Sequence, residues 1–201
     1  MRILEVGAGA GGTLKWLKTI YPEARTTGIE LNPELCEELK RNVDLAIIGN
    51  VDQCLERLSS YDLILFLDVL EHVVDSANTL RNVVQRLENG GHVIVSVPNI
   101  AHFQVSVPLL MRRRFIYQDA GILDRTHVRF FVEATAIELL NDANLIVTMG
   151  LLSGLQGPKS KIFNQLSFGL LKHHLCKQYI MRGEHRGSGL IQKPVRWIIA
   201  E

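Results

Sequence analysis

At 201 residues, 47% hydrophobic and 21% charged, the chain has the size and balance of one globular domain able to bury a full core. A formal net charge of +1 gives no global reason to expect nucleic acid or an anionic membrane as partner. Three cysteines without a CxxC pair, an N-terminus running straight into a glycine loop, and apolar runs only of strand length argue against a disulfide scaffold, a signal peptide and a membrane span, so a soluble cytoplasmic protein is expected.

Residues 2–6, RILEV, predict a buried strand ending at the glycine cluster 7–12. Leu14, Leu17 and Ile20 then recur at helical spacing until Pro22. Residues 26–31 predict a second strand, and Asn32-Pro33 starts a helix with Leu35, Leu39 and Val43 as its stripe. A third strand follows at 45–49 and a short helix at 51–58. YDLILFL (61–67) is apolar almost throughout, as a central parallel strand covered on both faces should be. Asp75-Ser76 caps a helix carrying Leu80, Val83, Val84 and Leu87, which Asn89-Gly90-Gly91 is expected to end. HVIVSVP (92–98) is the fifth strand.

From 99 to 131 the periodicity breaks, with Arg, His and aromatic residues mixed. A helix at 132–144 faces inward through Ala136, Ile137 and Leu140, and a strand at 145–152 follows. Beyond a Gly/Pro/Lys loop at 154–161, a helix near 162–174 and a last strand at 176–183 are expected, with a loosely specified tail. The alternation predicts an α/β fold: a Rossmann-like, doubly wound, mostly parallel sheet of about seven strands with helices on both faces. A single domain over 1–201 is expected, with 99–131 as an insertion that binds the acceptor or closes as a lid.

The glycine loop reads in two ways. Gly7, Gly9 and Gly12 spell the GxGxxG of nicotinamide-binding folds, whereas Glu5, Gly7, Gly9 and Gly11 spell ExGxGxG. A carboxylate at Glu5 would repel a pyrophosphate but suits the cationic amino and sulfonium groups of S-adenosylmethionine (SAM). Glu30, at the end of the second strand, can accept both hydroxyls of an adenosine ribose. The ordered segments LEVGAGAGG, GIELN, IIGNVD, YDLILFLDVLEHV and LENGGHVIVSVPN, with GILDRTHVRFF after them, resemble class I SAM-dependent methyltransferases. The likeness is to the branch holding ubiquinone-biosynthesis O-methyltransferases and bacterial polysaccharide-associated methyltransferases.

That resemblance implies SAM as cofactor, with S-adenosylhomocysteine as product. It places Glu5, Gly7, Ala8 and Gly9 at the methionine end, Glu30 on the ribose, Leu31 beside the adenine, and Asn50 and Val51 near the adenine amine. Asp68, after the central strand, is expected to face the methionine moiety, with His72 as general base and Glu71 orienting it. No metal site is assigned, although Asp68, Glu71 and His72 stand at positions resembling a divalent-metal site in some ubiquinone-pathway methyltransferases; helix capping by Glu71 and His72 is the alternative.

Asn99 and His102 would leave the fifth strand beside the methyl. Tyr117, Asp124, Thr126, His127 and Arg129 would recognise the acceptor or form a surface hairpin, with His127 and Arg129 on one face if extended. Arg112-Arg113-Arg114 reads as solvated surface, with contact to phosphate or an anionic acceptor as the alternative, and His173-His174 and His185 read as surface. Relatives usually carry a helical segment ahead of the first strand, so a truncated form, an open cleft or a covering second subunit, such as a homodimer, is expected. The reaction implied is methylation, at oxygen rather than nitrogen, of a small-molecule or glycan or lipid intermediate. A SAM-binding module without catalysis and a nicotinamide-dependent reductase are the competing readings; nucleic acid is not expected as partner.

Overall fold

The structure, a computed structural model, describes residues 1–155, 162, 164–187 and 189–200. One eight-stranded sheet organises them. Strand β1 (Arg2–Val6) pairs in parallel with β2 (Arg25–Glu30) on one side and β4 (Tyr61–Leu67) on the other. Beyond β2 lies β3 (Leu45–Ile48), and beyond β4 lies β5 (Leu87–Pro98), both also parallel. The order β3-β2-β1-β4-β5 reverses direction between β1 and β4, a topological switch point.

Alternate residues of β1 serve opposite layers. Ile3 packs with Leu14 of α1 (Gly12–Ile20) and Leu39 of α2 (Cys36–Asn42), while Leu4 joins the larger cluster on the other face. That second cluster takes Val51 and Cys54 from α3 (Val51–Cys54), Leu80, Val83 and Val84 from α4 (Ser76–Val84), and Leu139 and Leu140 from α6 (Glu133–Asp142). Both faces are therefore covered, which explains the unbroken apolar run of β4. In α1 only Leu14 is buried and Ile20 is exposed, so the expected stripe is narrower than its spacing suggests. The Asn32 side chain accepts from the Glu34 amide over a 3₁₀ turn ahead of α2, and Asp75 accepts from the Asn78 amide at the start of α4.

The structure departs from the sequence reading in four places. Helix α4 ends at Val84, and Asn89-Gly90-Gly91 lies inside β5 as a bulge. Tyr61 pairs with Leu87 but Leu63 pairs with His92, so extra residues loop out of β5. Gly90 turns there with φ 80, and a Cβ on Gly91 would lie 2.9 Å from the Asp62 carbonyl oxygen.

Second, the stretch read as irregular contains α5 (Phe103–Arg112), capped by His102, whose Nδ1 accepts from the Gln104 amide, and ended by Arg113 at φ 51. Third, β7 (Gln178–His185) inserts antiparallel between β5 and β6 (Leu145–Ser153). Fourth, the tail adds a strand, β8 (Trp197–Ile199), parallel to β6, making eight where about seven were expected. Residues 156–161 of the expected loop and residue 163 of the following helix lie outside the described residues; in that stretch Lys172–Leu175 forms one turn of helix.

The edge strand β8 docks through an aromatic seat. A Cβ on Gly150 would come within 2.3 Å of the Trp197 ring, and the Trp197 indole N–H donates to Glu133 Oε1 at 2.6 Å. Gly150→Ala is expected to cost about 1–3 kcal/mol through overpacking, read as a lower denaturation midpoint. In a Trp197→Ala background the same substitution should cost less than half as much; equal costs would mean that the ring is not the obstacle.

Candidate functional site

The loop between β1 and α1 turns on three glycines in the left-handed region: Gly7 at φ 72, Gly9 at φ 54 and Gly11 at φ 80. The amides of Gly7 and Ala8 both donate to the Ile29 carbonyl, at 2.8 and 2.9 Å, which ties the loop to the end of β2. At Gly7 space is also decisive, because a Cβ would lie 2.4 Å from Val69 Cγ2. Glu30 braces the same edge: one carboxylate oxygen accepts from the Gly9 amide and the other from the Asn32 amide, each at 2.8 Å. A carboxylate has lone pairs beyond those two bonds, so Glu30 can still accept from a ligand.

A cavity of about 330 Å³ opens along this edge, and Gly7, Glu30, Leu31, Asn50, Val51 and Asp68 line it. Six of the nine residues expected to meet the cofactor are thus gathered around one space. Glu5, Ala8 and Gly9 are not in its lining. Ala8 packs into the core beside Ile3. Glu5 is buried beneath the loop with Oε2 unpartnered, and burial pushes its pKa up to about 7. Asn50 caps α3, its side-chain oxygen accepting from the Asp52 amide at 2.9 Å, so that oxygen is already engaged by the helix.

Asp68 stands at the end of β4 with φ 56, uncommon for a non-glycine residue. Ser96 Oγ accepts from its amide at 3.0 Å and donates to Oδ1 at 3.1 Å; Gln178 Nε2 donates to the same oxygen at 2.5 Å. Neighbouring strands β5 and β7 thus fix a strained residue in one orientation. Beyond it, a second cavity of about 370 Å³ is lined by Glu71, His127, Lys177 and Gln178 among others, and it shares Asp68 and His72 with the first.

In the exposed His72 ring, Nδ1 lies 3.2 Å from the Thr126 carbonyl; as a carbonyl only accepts, Nδ1 carries the proton and Nε2 keeps its lone pair. His127 does the same through the Ile122 carbonyl at 3.1 Å, and the two rings meet edge to face at 4.8 Å between centroids. Glu71 is buried, with neither carboxylate oxygen hydrogen-bonded, and burial, reinforced by the nearby Asp68 charge, pushes its pKa up to about 8. It makes no hydrogen bond to His72; Thr126 does the orienting instead. The carbonyl of Glu71 accepts from the Val128 and Arg129 amides, anchoring the 127–131 segment here. One ligand atom from each of Glu71, His72 and His127 falls within 4.8 Å of the others, a set that contains His127 where the sequence suggested Asp68.

Other candidates sit elsewhere. Asn99 is fully buried, and its amide donates to the carbonyls of His173 and Cys176 at 2.6 and 2.9 Å. His102 is a buried helix cap, held neutral by burial with its pKa pushed down to about 4. Arg129 does not share a face with His127: its guanidinium donates to the Val74 carbonyl, and Phe130 turns to Phe115. Asp124 holds the Thr126 amide and hydroxyl in a tight turn. Tyr117 is exposed and edge-on to Phe115. His173 turns inward between Tyr179 and Trp197, 3.4 Å from Glu133, instead of lying in solvent. Ser96, Lys177 and Gln178 carry no signal in the sequence, because only the antiparallel insertion of β7 brings residues 177 and 178 to the end of β4.

The family model for a methyltransferase domain matches residues 1–148. The chain belongs to the methyltransferase-domain family. Its fold and motifs are those of the class I SAM-dependent branch, for which SAM is the cofactor. The chain is 30% identical over 105 residues to the ubiquinone biosynthesis O-methyltransferase of Xanthomonas oryzae pv. oryzae, a match covering 49% of this chain and 43% of that protein. It is 29% identical over 94 residues to methyltransferase str2 of Strobilurus tenacellus, covering 47% and 34%. The matched stretches thus span less than half of these relatives. Among solved structures, a SAM-dependent methyltransferase from Archaeoglobus fulgidus superposes with a TM-score of 0.62 at 13% identity, over 90% of this chain and 85% of that one, a likeness of fold.

The buried Glu5 carboxyl makes stability depend on pH. Its pKa is raised in the folded chain, so folding favours the protonated form; this stabilisation is complete below about pH 4.5 and is lost as pH rises through about 7. Glu5→Gln should flatten that fall. Denaturant titrations at acidic and mildly alkaline pH should show wild type losing on the order of 1–3 kcal/mol more than the variant. Parallel pH profiles would mean that Glu5 is solvated.

Proposed function

We propose that the chain transfers the methyl of SAM to a hydroxyl of a small-molecule, glycan or lipid-intermediate acceptor. The observation that carries this reading is that Asp68 and His72 line both cavities, so a cofactor space and an acceptor space meet at those two residues. The residues present fit SAM: the buried Glu5 carboxyl with an unpartnered oxygen suits a cationic group, and Gly7 gives backbone access where a side chain would collide with Val69. Glu30 would accept from the ribose hydroxyls, Leu31 and Val51 would flank the adenine, and Asp68 would face the methionine moiety.

When bound, SAM supplies the methyl as an electrophile on a sulfonium. The protein then has to align the acceptor oxygen and remove its proton. His72 Nε2 is the acceptor for that proton, since Thr126 fixes the tautomer. Burial pushes Glu71 toward its neutral form, and Asp68 and Lys177 line the acceptor side with it. The O-methyltransferase named among the relatives supports oxygen as the methylated atom.

Calorimetric titration with SAM and with S-adenosylhomocysteine should give binding that Glu30→Ala weakens at least about tenfold, roughly 1.4 kcal/mol. With an acceptor found by screening phenolic and sugar hydroxyls, His72→Ala should lose about 10²–10⁴ in turnover while SAM binding, whose cavity His72 also lines, falls far less. No binding of either nucleoside, or binding indifferent to Glu30, would refute the assignment. NADH binding in their place would favour a reductase.

A second reading has one specific support. With Nδ1 of both rings tied to a carbonyl, His72 and His127 each keep a second ring nitrogen, and one ligand atom from each lies within 4.8 Å of the other and of the unpartnered Glu71 carboxyl. Outer hydrogen bonds of this kind orient metal-ligating histidines. A divalent cation held there would keep Glu71 ionised and polarise an acceptor hydroxyl. Calorimetry with Mg²⁺, Mn²⁺ and Zn²⁺ on wild type and His127→Ala separates the two readings: His127-dependent binding would favour the cation, and its absence leaves His72 as the base.

A further inference from the structure

Helix α5 buries almost nothing of itself. Val105 is its only buried residue, while Leu110 and Met111 are 82% and 74% exposed. Phe103, Val107, Leu110 and Met111 follow i, i+4, i+7 and i+8, an arc of about 100° on the side away from Val105. The chain then continues through Arg112, Arg113 and Arg114 into Phe115 and Ile116, all exposed. None of the three arginines makes an ion pair among the described residues. From Asn89 to Gln118 there is not one acidic residue. A chain of net charge +1 thus sets three arginines, unpaired among the described residues, beside an exposed apolar helix.

We propose that α5 and the segment after it dock on the surface of a membrane containing anionic lipid, apolar stripe down and arginines at the headgroups. Charge selects this occupant. A second copy of the chain seated symmetrically on the same stripe would bring six guanidiniums together with no carboxylate on either α5 to offset them, whereas an anionic bilayer neutralises them. Apolar side chains on one arc with cations beside them is the composition of helices that lie in the interface plane. With 10 residues α5 is too short to cross a bilayer and would lie on its surface. Phe115 stacks edge-on with Tyr117 and Phe130, a group of aromatic rings suited to the headgroup level.

The placement has a consequence for access. Phe103 and Val107 also line a cavity of about 620 Å³ that shares Gly121, Ile122 and Lys177 with the acceptor-side cavity. Docking through α5 sets this route at the bilayer surface.

The test is co-sedimentation of the purified chain with vesicles of phosphatidylcholine alone and of phosphatidylcholine mixed equally with phosphatidylglycerol. Wild type should sediment with the mixed vesicles only, and be released at ~1 M salt, where the Debye length falls to about 3 Å. Leu110→Glu with Met111→Glu, and separately Arg112, Arg113 and Arg114 to Gln, should each cut the bound fraction at least about tenfold. All these positions are exposed, so circular dichroism and the melting midpoint should match wild type, and SAM titration reports the cofactor site independently. Failure of wild type to bind mixed vesicles, or variants that bind as well as wild type, would overturn the proposal. So would a dimer, seen by light scattering, that the Leu110 and Met111 substitutions dissolve, since it would make a second copy the occupant.

Discussion

Strand β1 hydrogen-bonds in parallel to β2 on one side and β4 on the other, and the chain leaves all three at the same edge of the sheet. Parallel pairing forbids short hairpins, so each strand must hand over to a crossing element, and the connections depart to opposite faces from the two sides of β1. A crevice at that point is unavoidable. Its walls are the glycine loop after β1, Glu30 after β2 and Asp68 after β4. The left-handed backbone at Gly7 and at Asp68 follows from the same geometry, since two chains turn away from each other within contact distance: Val69 would strike any side chain at position 7. Holding a non-glycine residue at φ 56 costs of order 1–2 kcal/mol, and the bonds from Ser96 and Gln178 to Asp68 offset it.

The crevice is electrostatically unbalanced. Glu5, beneath the glycine loop, and Glu71, in the lining of the acceptor-side cavity, are both buried with unpartnered carboxylate oxygens, and burial pushes both toward the neutral form. Isolated buried carboxyls are costly unless something compensates them. Apolar replacements at both positions would serve stability better, so their presence argues for ligands that bring positive charge or hydrogen-bond donors. A sulfonium and an ammonium on the Glu5 side, and an acceptor hydroxyl or a cation on the Glu71 side, are groups of that kind.

The first half of the fold was legible because local signals and tertiary demands agree there. The inner strands β1 and β4 carry the apolar runs that a sheet covered on both faces demands, and Asn32 and Asp75 perform the caps that their positions announce. The candidate site was legible to the same extent: Gly7, Glu30, Asn50 and Asp68 are strand-end residues, fixed once the strands are placed. The signals failed where partners lie far apart in sequence. Gln178 reaches Asp68 across 110 residues through an antiparallel insertion that no spacing encodes. Thr126 orients His72 through a backbone carbonyl, for which any residue type would serve. Asn89-Gly90-Gly91 has the composition of a helix stop and is used as a bulge; the two call for the same backbone freedom.

Helix α5 is illegible in the sequence for a different reason, which bears on what it does. A sequence expectation of a helix rests on one apolar face and one polar face, the apolar face turned to the core. Here most faces are apolar, Pro108 interrupts the pattern, and the side away from the core carries the larger side chains. Ten residues form a marginal helix in water without burial to hold them, and Val105 alone supplies little. What secures α5 within the fold is mainly its ends: the His102 cap, itself held in place by the buried Asn99 turn, and the left-handed Arg113. Such a helix is shaped by the chain and stabilised from outside it, and its apolar arc finds in a lipid surface the burial that the sheet does not provide.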